Sequence, residues 1–287
     1  MNKTSKATSH EAKNPRVMST EQNHTPETRT LSAVVLAAGK GTRMHSDLPK
    51  VMHEACGRPL VHWVVDALHA PGIESSPVVL VVGFGRELVE DSFQPKPDWL
   101  RFAIQEEQLG TGHAIDMARP FFEDAARRET TDVMVLCGDG PLIRRETLEQ
   151  LHRRHVETGA AATLATAILD DASGYGRIQR SSDGSFDRIV EQKDATPEQL
   201  ELKEVNPSYY IFRADALFDR LGRLGNKNAS GEYYITDVFE LMKSDGLRVE
   251  VVDAVPSEDV LSINTLEQLS EVEAILAARG VTHEEGA

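Results

Sequence analysis

Four strand-like runs alternate with stretches of helical spacing in the first half of the chain, an order that few folds accept. The runs are Leu31–Ala37, Val78–Val82, Arg101–Gln105 and Val133–Cys137. Between the first two, Leu60, Val61, Val64, Val65 and Leu68 recur at helical spacing until Pro71-Gly72 stops them. Helices are also predicted from about Thr111 to Ala118 and from Arg145 to His155. Apolar strands separated by helices must be covered on both faces, which is the condition of a parallel sheet. The prediction is an α/β, Rossmann-like fold: a mixed, mainly parallel sheet with helices on both faces.

The second half changes character. Ala162–Leu169, Gly176–Arg180 and Phe186–Gln192 read as strands, with a hairpin turn at Ser182-Asp183-Gly184. Thr196-Pro197 reads as a helix cap followed by proline at the first helical position. Val205–Phe212 and Arg248–Val255 are further strands, and Ala214–Leu224, Tyr233–Met242 and Thr265–Ala278 are helices. This half is expected to form an acceptor-binding lobe on the same sheet. Residues 1–30 hold almost no apolar side chains and cannot offset their ordering entropy, so they are predicted to be a disordered polar tail. A start codon assigned too early, with Met18 inside the stretch, is the competing explanation. The expected organisation is this tail, a domain over 31–264, and a C-terminal helix with a short tail over 265–287.

The composition narrows the class of partner. Of 287 residues, 40% are hydrophobic and 27% charged, which excludes collagen-like and wholly disordered chains. No run approaches the ~18–20 apolar residues that span a bilayer, and the N-terminus lacks a signal-peptide apolar core. A net charge of −15 repels polyanions. Small-molecule partners are therefore expected, with no nucleic acid and no membrane. Cys56 and Cys137 form no CxxC pair, so neither a disulfide scaffold nor a zinc site is expected, and a reducing cytoplasm fits. Oligomeric state is left open.

The loop leaving the first run, Leu36-Ala37-Ala38-Gly39-Lys40-Gly41-Thr42-Arg43-Met44, suits close approach of backbone N–H groups to a phosphate. Arg43 and Lys50 add positive charge. It is not a Walker A loop, because Val34 and Val35 stand where the leading glycine is needed. It is not the dinucleotide fingerprint, because Met44 replaces the last glycine. Gly39–Met44 followed by Leu48-Pro49-Lys50 resembles the signature of sugar-1-phosphate nucleotidyltransferases. Gln105-Glu106-Glu107-Gln108-Leu109-Gly110-Thr111-Gly112-His113-Ala114 is similar to the uracil-binding loop of the N-acetylglucosamine-1-phosphate uridyltransferases. Gly174–Ile178, Ile189–Glu191, Lys193–Thr196 and Gly231–Asp237 recur in that family in this order.

The resemblance implies a nucleotidyltransferase fold and transfer of a uridylyl group from UTP to N-acetylglucosamine 1-phosphate. The nucleophile is then an anionic phosphate oxygen, so positioning and electrostatics replace a catalytic triad. By the same resemblance, Arg43 and Lys50 are catalytic. Leu36, Ala37, Ala38, Gly39, Gln105, Gly110, Thr111, Cys137 and Gly138 would bind the nucleotide. Gly176, Glu191, Asn206 and Asn264 would bind the sugar, with Asp139 and Asn264 holding magnesium. Taken alone, Asp139 reads as a turn former before Gly140-Pro141, and Asn264 as a helix cap, although Thr265 can cap instead. Gln105 carries both amide functions and can rotate to suit either pyrimidine, so the backbone of Ala38 and Gly110 is expected to set base preference.

Departures from the family pattern are Cys137, where tyrosine is frequent, Gly140, and Pro207-Ser208, where a small residue and glycine are usual. No β-helix acetyltransferase domain is expected. The alternatives are transfer to another sugar 1-phosphate, or a silent sugar-nucleotide-binding subunit, which the presence of Arg43, Lys50 and Asp139 disfavours.

Overall fold

The computed structural model describes Met1, residues 29–44 and residues 46–280. The predicted disordered tail thus lies almost wholly outside the described residues, as does the segment after 280. The strands are β1 (Thr30–Ala37), β2 (Glu54–Ala55), β3 (Arg58–Pro59), β4 (Val78–Val82), β5 (Leu100–Ile104), β6 (Thr131–Cys137), β7 (Ala162–Ile168), β8 (Gly176–Arg180), β9 (Phe186–Val190), β10 (Glu204–Asn206), β11 (Tyr210–Arg213) and β12 (Val249–Asp253). The helices are α1 (Leu60–His69), α2 (Arg86–Ser92), α3 (Thr111–Asp116), α4 (Ala125–Glu129), α5 (Arg145–Thr158), α6 (Pro197–Leu200), α7 (Ala214–Leu221), α8 (Asp237–Ser244) and α9 (Leu266–Ala278).

One mixed sheet runs β5-β4-β1-β6-β11-β7-β10-β8-β9, with β12 paired to β7. The β5-β4-β1-β6 part is parallel, and β11 joins it antiparallel to β6. Burial on both faces explains the apolar runs. Ala33, Val35 and Ala37 face Val61, Val64 and Leu68 of α1 and Leu148 and Leu151 of α5. Val34 faces the opposite layer, with Ile115 of α3, Leu217 and Phe218 of α7, and Val238 and Phe239 of α8. Each such Val, Leu, Ile or Phe side chain removed from water contributes about 1.5–3 kcal/mol. The helix α9 belongs to the same body: Val272 and Leu276 pack with Met44, Ala55, Leu60 and Ile263.

Two predicted elements are corrected. The strand expected over Val205–Phe212 is two strands, β10 and β11, broken at Pro207-Ser208. Proline lacks an N–H, and Ser208 has φ +66°, a left-handed conformation that ends a ladder. The helix expected over Tyr233–Met242 begins only at Asp237, because the backbone of Tyr233 is used elsewhere: its N–H bonds Leu109 O at 2.8 Å and its carbonyl accepts from Gly112 N at 2.8 Å.

The left-handed Ser208 yields a first prediction. A residue with a Cβ pays about 1–2 kcal/mol in this conformation. Ser208→Gly is expected to stabilise the fold by ~1 kcal/mol and raise Tm by roughly 2–4 °C. An unchanged or lower Tm in a thermal melt counts against it.

Candidate active site

The carboxyl ends of β1, β5 and β6 open into a cleft of two cavities that share Cys137. The first, about 250 Å³, brings together Leu36, Ala37, Ala38, Gly39, Lys50, Gln105, Gly110, Thr111, Cys137 and Asp139. The second, about 240 Å³, brings together Arg43, Gly176, Glu191, Asn206 and Asn264. Gly138 lines neither. Its N–H bonds Leu36 O at 2.9 Å, tying β6 to β1, and a Cβ there would sit 3.1 Å from that oxygen.

At the junction, the Lys50 ammonium pairs with Asp139 Oδ2 and donates to Asn264 Oδ1 at 2.8 Å. Arg43 Nη2 donates to the same Asn264 oxygen at 2.6 Å. Asn264 is free for this because Thr265 caps α9, its hydroxyl accepting from Gln268 N while Gln268 Oε1 accepts from Thr265 N. Gln268 Oε1 also accepts from Asn264 N at 2.7 Å. Asp139 and Asn264 are hard oxygen donors that already converge on one cation, so they fit a divalent metal. Among the described residues no group of three or more His, Cys, Asp or Glu could hold a metal ion, so phosphate and water would complete such a shell.

Gln105 is held more firmly than its sequence suggests. Its Nε2 lies 3.2 Å from Gly110 O and 3.0 Å from His113 Nδ1. A carbonyl only accepts, so the amide NH₂ must face Gly110. Oε1, with no partner among the described residues, is left as an acceptor at the cavity wall. Gln105 therefore does not rotate to suit either pyrimidine. Gly110 has φ +116°, and a Cβ there would meet Tyr233 O at 2.6 Å. Only glycine lets this loop lie against Tyr233.

On the other side, Thr236 Oγ1 donates to Glu191 Oε1 at 3.0 Å. Burial pushes the Glu191 carboxyl above the usual carboxylate range, and Asp237, Asp194 and Glu232 add to that against the Thr236 bond. Asn206 is partly committed: Nδ2 donates to Tyr210 Oη at 2.7 Å and Oδ1 accepts from Ser208 N at 3.1 Å. Burial, followed by the charge of Asp139, pushes the Cys137 thiol up to about 12. A thiol so held is no nucleophile at neutral pH.

Sequence reasoning passed over several wall residues. Gln108, Ala114 and Glu232 line the first cavity, and Tyr175, Ser262 and Gln268 the second. Gln108, Ala114, Glu232 and Tyr175 lie inside motifs already singled out. Gln268 had its signal in the Thr265-x-x-Gln268 capping pattern.

A mixed sheet whose parallel strands end in a glycine-lined cleft, with Lys50, Arg43, Asp139, Glu191 and Glu232 in its walls, defines an α/β protein that takes its ligands at the strand ends. Residues 32–270 match the model of the nucleotidyl transferase family, and the chain belongs to that family. Among similar proteins, the bifunctional protein GlmU of Geobacillus thermodenitrificans is 44% identical over 247 residues, covering 86% of this chain and 52% of the relative. That of Exiguobacterium sibiricum is 43% identical over 251 residues, covering 88% and 54%. The chain thus spans about half the length of these relatives. A crystal structure of UDP-glucose pyrophosphorylase complexed with UDP-glucose superposes with a TM-score of 0.71 at 17% identity, covering 87% of this chain and 99% of that one. At that identity the likeness concerns the fold.

Proposed function

We propose that this chain transfers the uridylyl group of UTP to N-acetylglucosamine 1-phosphate, releasing pyrophosphate and forming UDP-N-acetylglucosamine. The carrying observation is the meeting of the two cavities at Cys137, with Asp139, Lys50 and Arg43 gathered beside it through Asn264. Two polyanions must be brought together there, and positive charge at the phosphates is what such a reaction needs. A magnesium ion held by Asp139 and Asn264 would add charge neutralisation at the phosphates when bound.

The residues divide the work. The backbone of Ala38 and Gly39 meets the donor phosphates, and Lys50 and Arg43 offset charge on the transferred phosphate and the departing pyrophosphate. Gln105 Oε1 accepts from uracil N3–H, whereas cytosine presents an acceptor at N3 and would leave the pair unmatched. On the sugar side the Glu191 carboxylate accepts from hydroxyls. The remaining Nδ2 hydrogen of Asn206 is left to donate to the acetamido carbonyl, and Gly176 keeps the wall low. Among the described residues no helix is long and apolar enough to cross a membrane. The free thiols of Cys56 and Cys137 suit a reducing, cytoplasmic setting.

The test is pyrophosphate release with a panel of nucleotides and sugar phosphates. UTP is expected to exceed CTP, and N-acetylglucosamine 1-phosphate to exceed glucose 1-phosphate, each by more than ~10-fold in kcat/KM, about 1.4 kcal/mol. Equal rates with UTP and CTP would remove the Gln105 assignment. Ser208 lines the second cavity in its left-handed conformation, which keeps a second reading open: transfer to a different sugar 1-phosphate. Equal rates for the two sugars favour that reading.

A further inference from the structure

We infer that the Lys50 ammonium is the internal counter-ion of the metal position: it occupies that position in the nucleotide-free protein and yields it when a triphosphate arrives. This rests on the metal-assisted transfer proposed above. The two oxygens that would hold a divalent cation, Asp139 Oδ2 and Asn264 Oδ1, are both already taken by one ammonium. An ammonium and a divalent cation repel each other and cannot share that space.

The stem of Lys50 is fixed and its head is not. Lys50 opens a single helical turn, Lys50–Met52, whose next residue Val51 is buried. Gly41, at φ +66°, lies so close that a Cβ there would be 2.5 Å from Lys50 Cβ. Departure of the head must therefore occur by rotation of the four-carbon side chain. Triphosphate oxygens supply a new anionic partner for the ammonium as it leaves Asp139. Asn264 Oδ1 has two lone pairs, so it keeps its Arg43 bond at 2.6 Å while exchanging Lys50 for the metal. The consequence is coupling: metal alone binds weakly, and metal with nucleotide binds well.

Manganese binding to the full chain without nucleotide, followed by electron paramagnetic resonance, tests this. Lys50→Met keeps the length and apolar stem of the side chain and removes its charge. It is expected to bind one Mn²⁺ at least ~10-fold more tightly than the unmodified protein. Lys50→Gln, measured beside it in case the methionine variant fails to fold, is expected to do the same. Adding Asp139→Asn to either variant should abolish the gain. Affinity in the folded Lys50 variants no tighter than in the unmodified protein overturns the inference. That result with selective uridylyl transfer intact in the unmodified protein leaves the proposed function standing. Tight Mn²⁺ binding in a protein that transfers no nucleotide leaves the inference standing and the function refuted.

Discussion

Asp139→Asn is expected to lower kcat/KM for pyrophosphate release by at least ~10²-fold, the loss of a transition-state electrostatic contact of ~2.7–4 kcal/mol. The substitution keeps the shape of the side chain and removes its charge. It strips the counter-ion from Lys50 and the one carboxylate from the proposed metal donors. Lys50→Ala is expected to lose a similar factor from the opposite side of the pair. The double variant should lose less than the product of the two factors, because each single change already breaks the same pair. Steady-state kinetics on folded variants settle the matter, and near-normal turnover by Asp139→Asn would remove the metal assignment.

Removing residues 1–30 is expected to destabilise the fold. The polar composition of this stretch suggests that all of it is dispensable, but its last two residues are structural. Arg29 Nε donates to Asp132 Oδ1 at 2.6 Å, and Arg29 Nη2 to Thr131 O at 2.8 Å. The Asp132 side chain is 0% exposed, with His155 Nε2 3.4 Å away. Thr30 begins β1. Removing one partner of a buried pair costs about 3–5 kcal/mol, and the remaining His155 contact places Arg29→Ala near the low end. The expected drop in Tm is roughly 10 °C. Burial pushes the Asp132 carboxyl upward, but hydrogen bonds and charge from His155 and Arg29 outweigh it and hold the group below its ordinary 3.8. A depressed carboxylate stabilises the fold above its unfolded pKa, and that contribution is lost as pH falls through the folded value. Arg29→Ala should therefore move the acid-unfolding midpoint upward. Equal melting curves and acid midpoints for Arg29→Ala and the unmodified chain would defeat the assignment.

Much of the fold was legible because β1, β4 and β6 are buried on both faces and so must be apolar along their length. Gly176–Arg180 and Val78–Val82 coincide with β8 and β4. The helix α2 was not legible: Arg-Glu-Leu-Val-Glu-Asp-Ser buries only Val89, too little to set a period. The break at Pro207-Ser208 was visible as composition but not as geometry. Motifs located the candidate site, yet they did not reveal its pairings. Lys50 meets Asn264 across 214 positions of sequence, a contact that no local pattern encodes. Gln105 read as a rotor because its partners, Gly110 O and His113, are decided by the path of a loop rather than by residue type.

The backbone of Tyr233 is stitched to the loop at Leu109–Gly112 by bonds in both directions, and Ile235 N adds a bond to Thr111 Oγ1 at 3.0 Å. The Gly110 rim of the first cavity and the segment carrying Thr236, which holds Glu191, are therefore one mechanical piece. Neither mouth of the cleft can gape without dragging the other. A ligand that stiffens this shared lip from the base side lowers the ordering entropy left for the sugar side. Linkage would make the favour mutual: under the proposed function, whichever substrate enters first would prepare the seat of the second by the same factor it would itself receive.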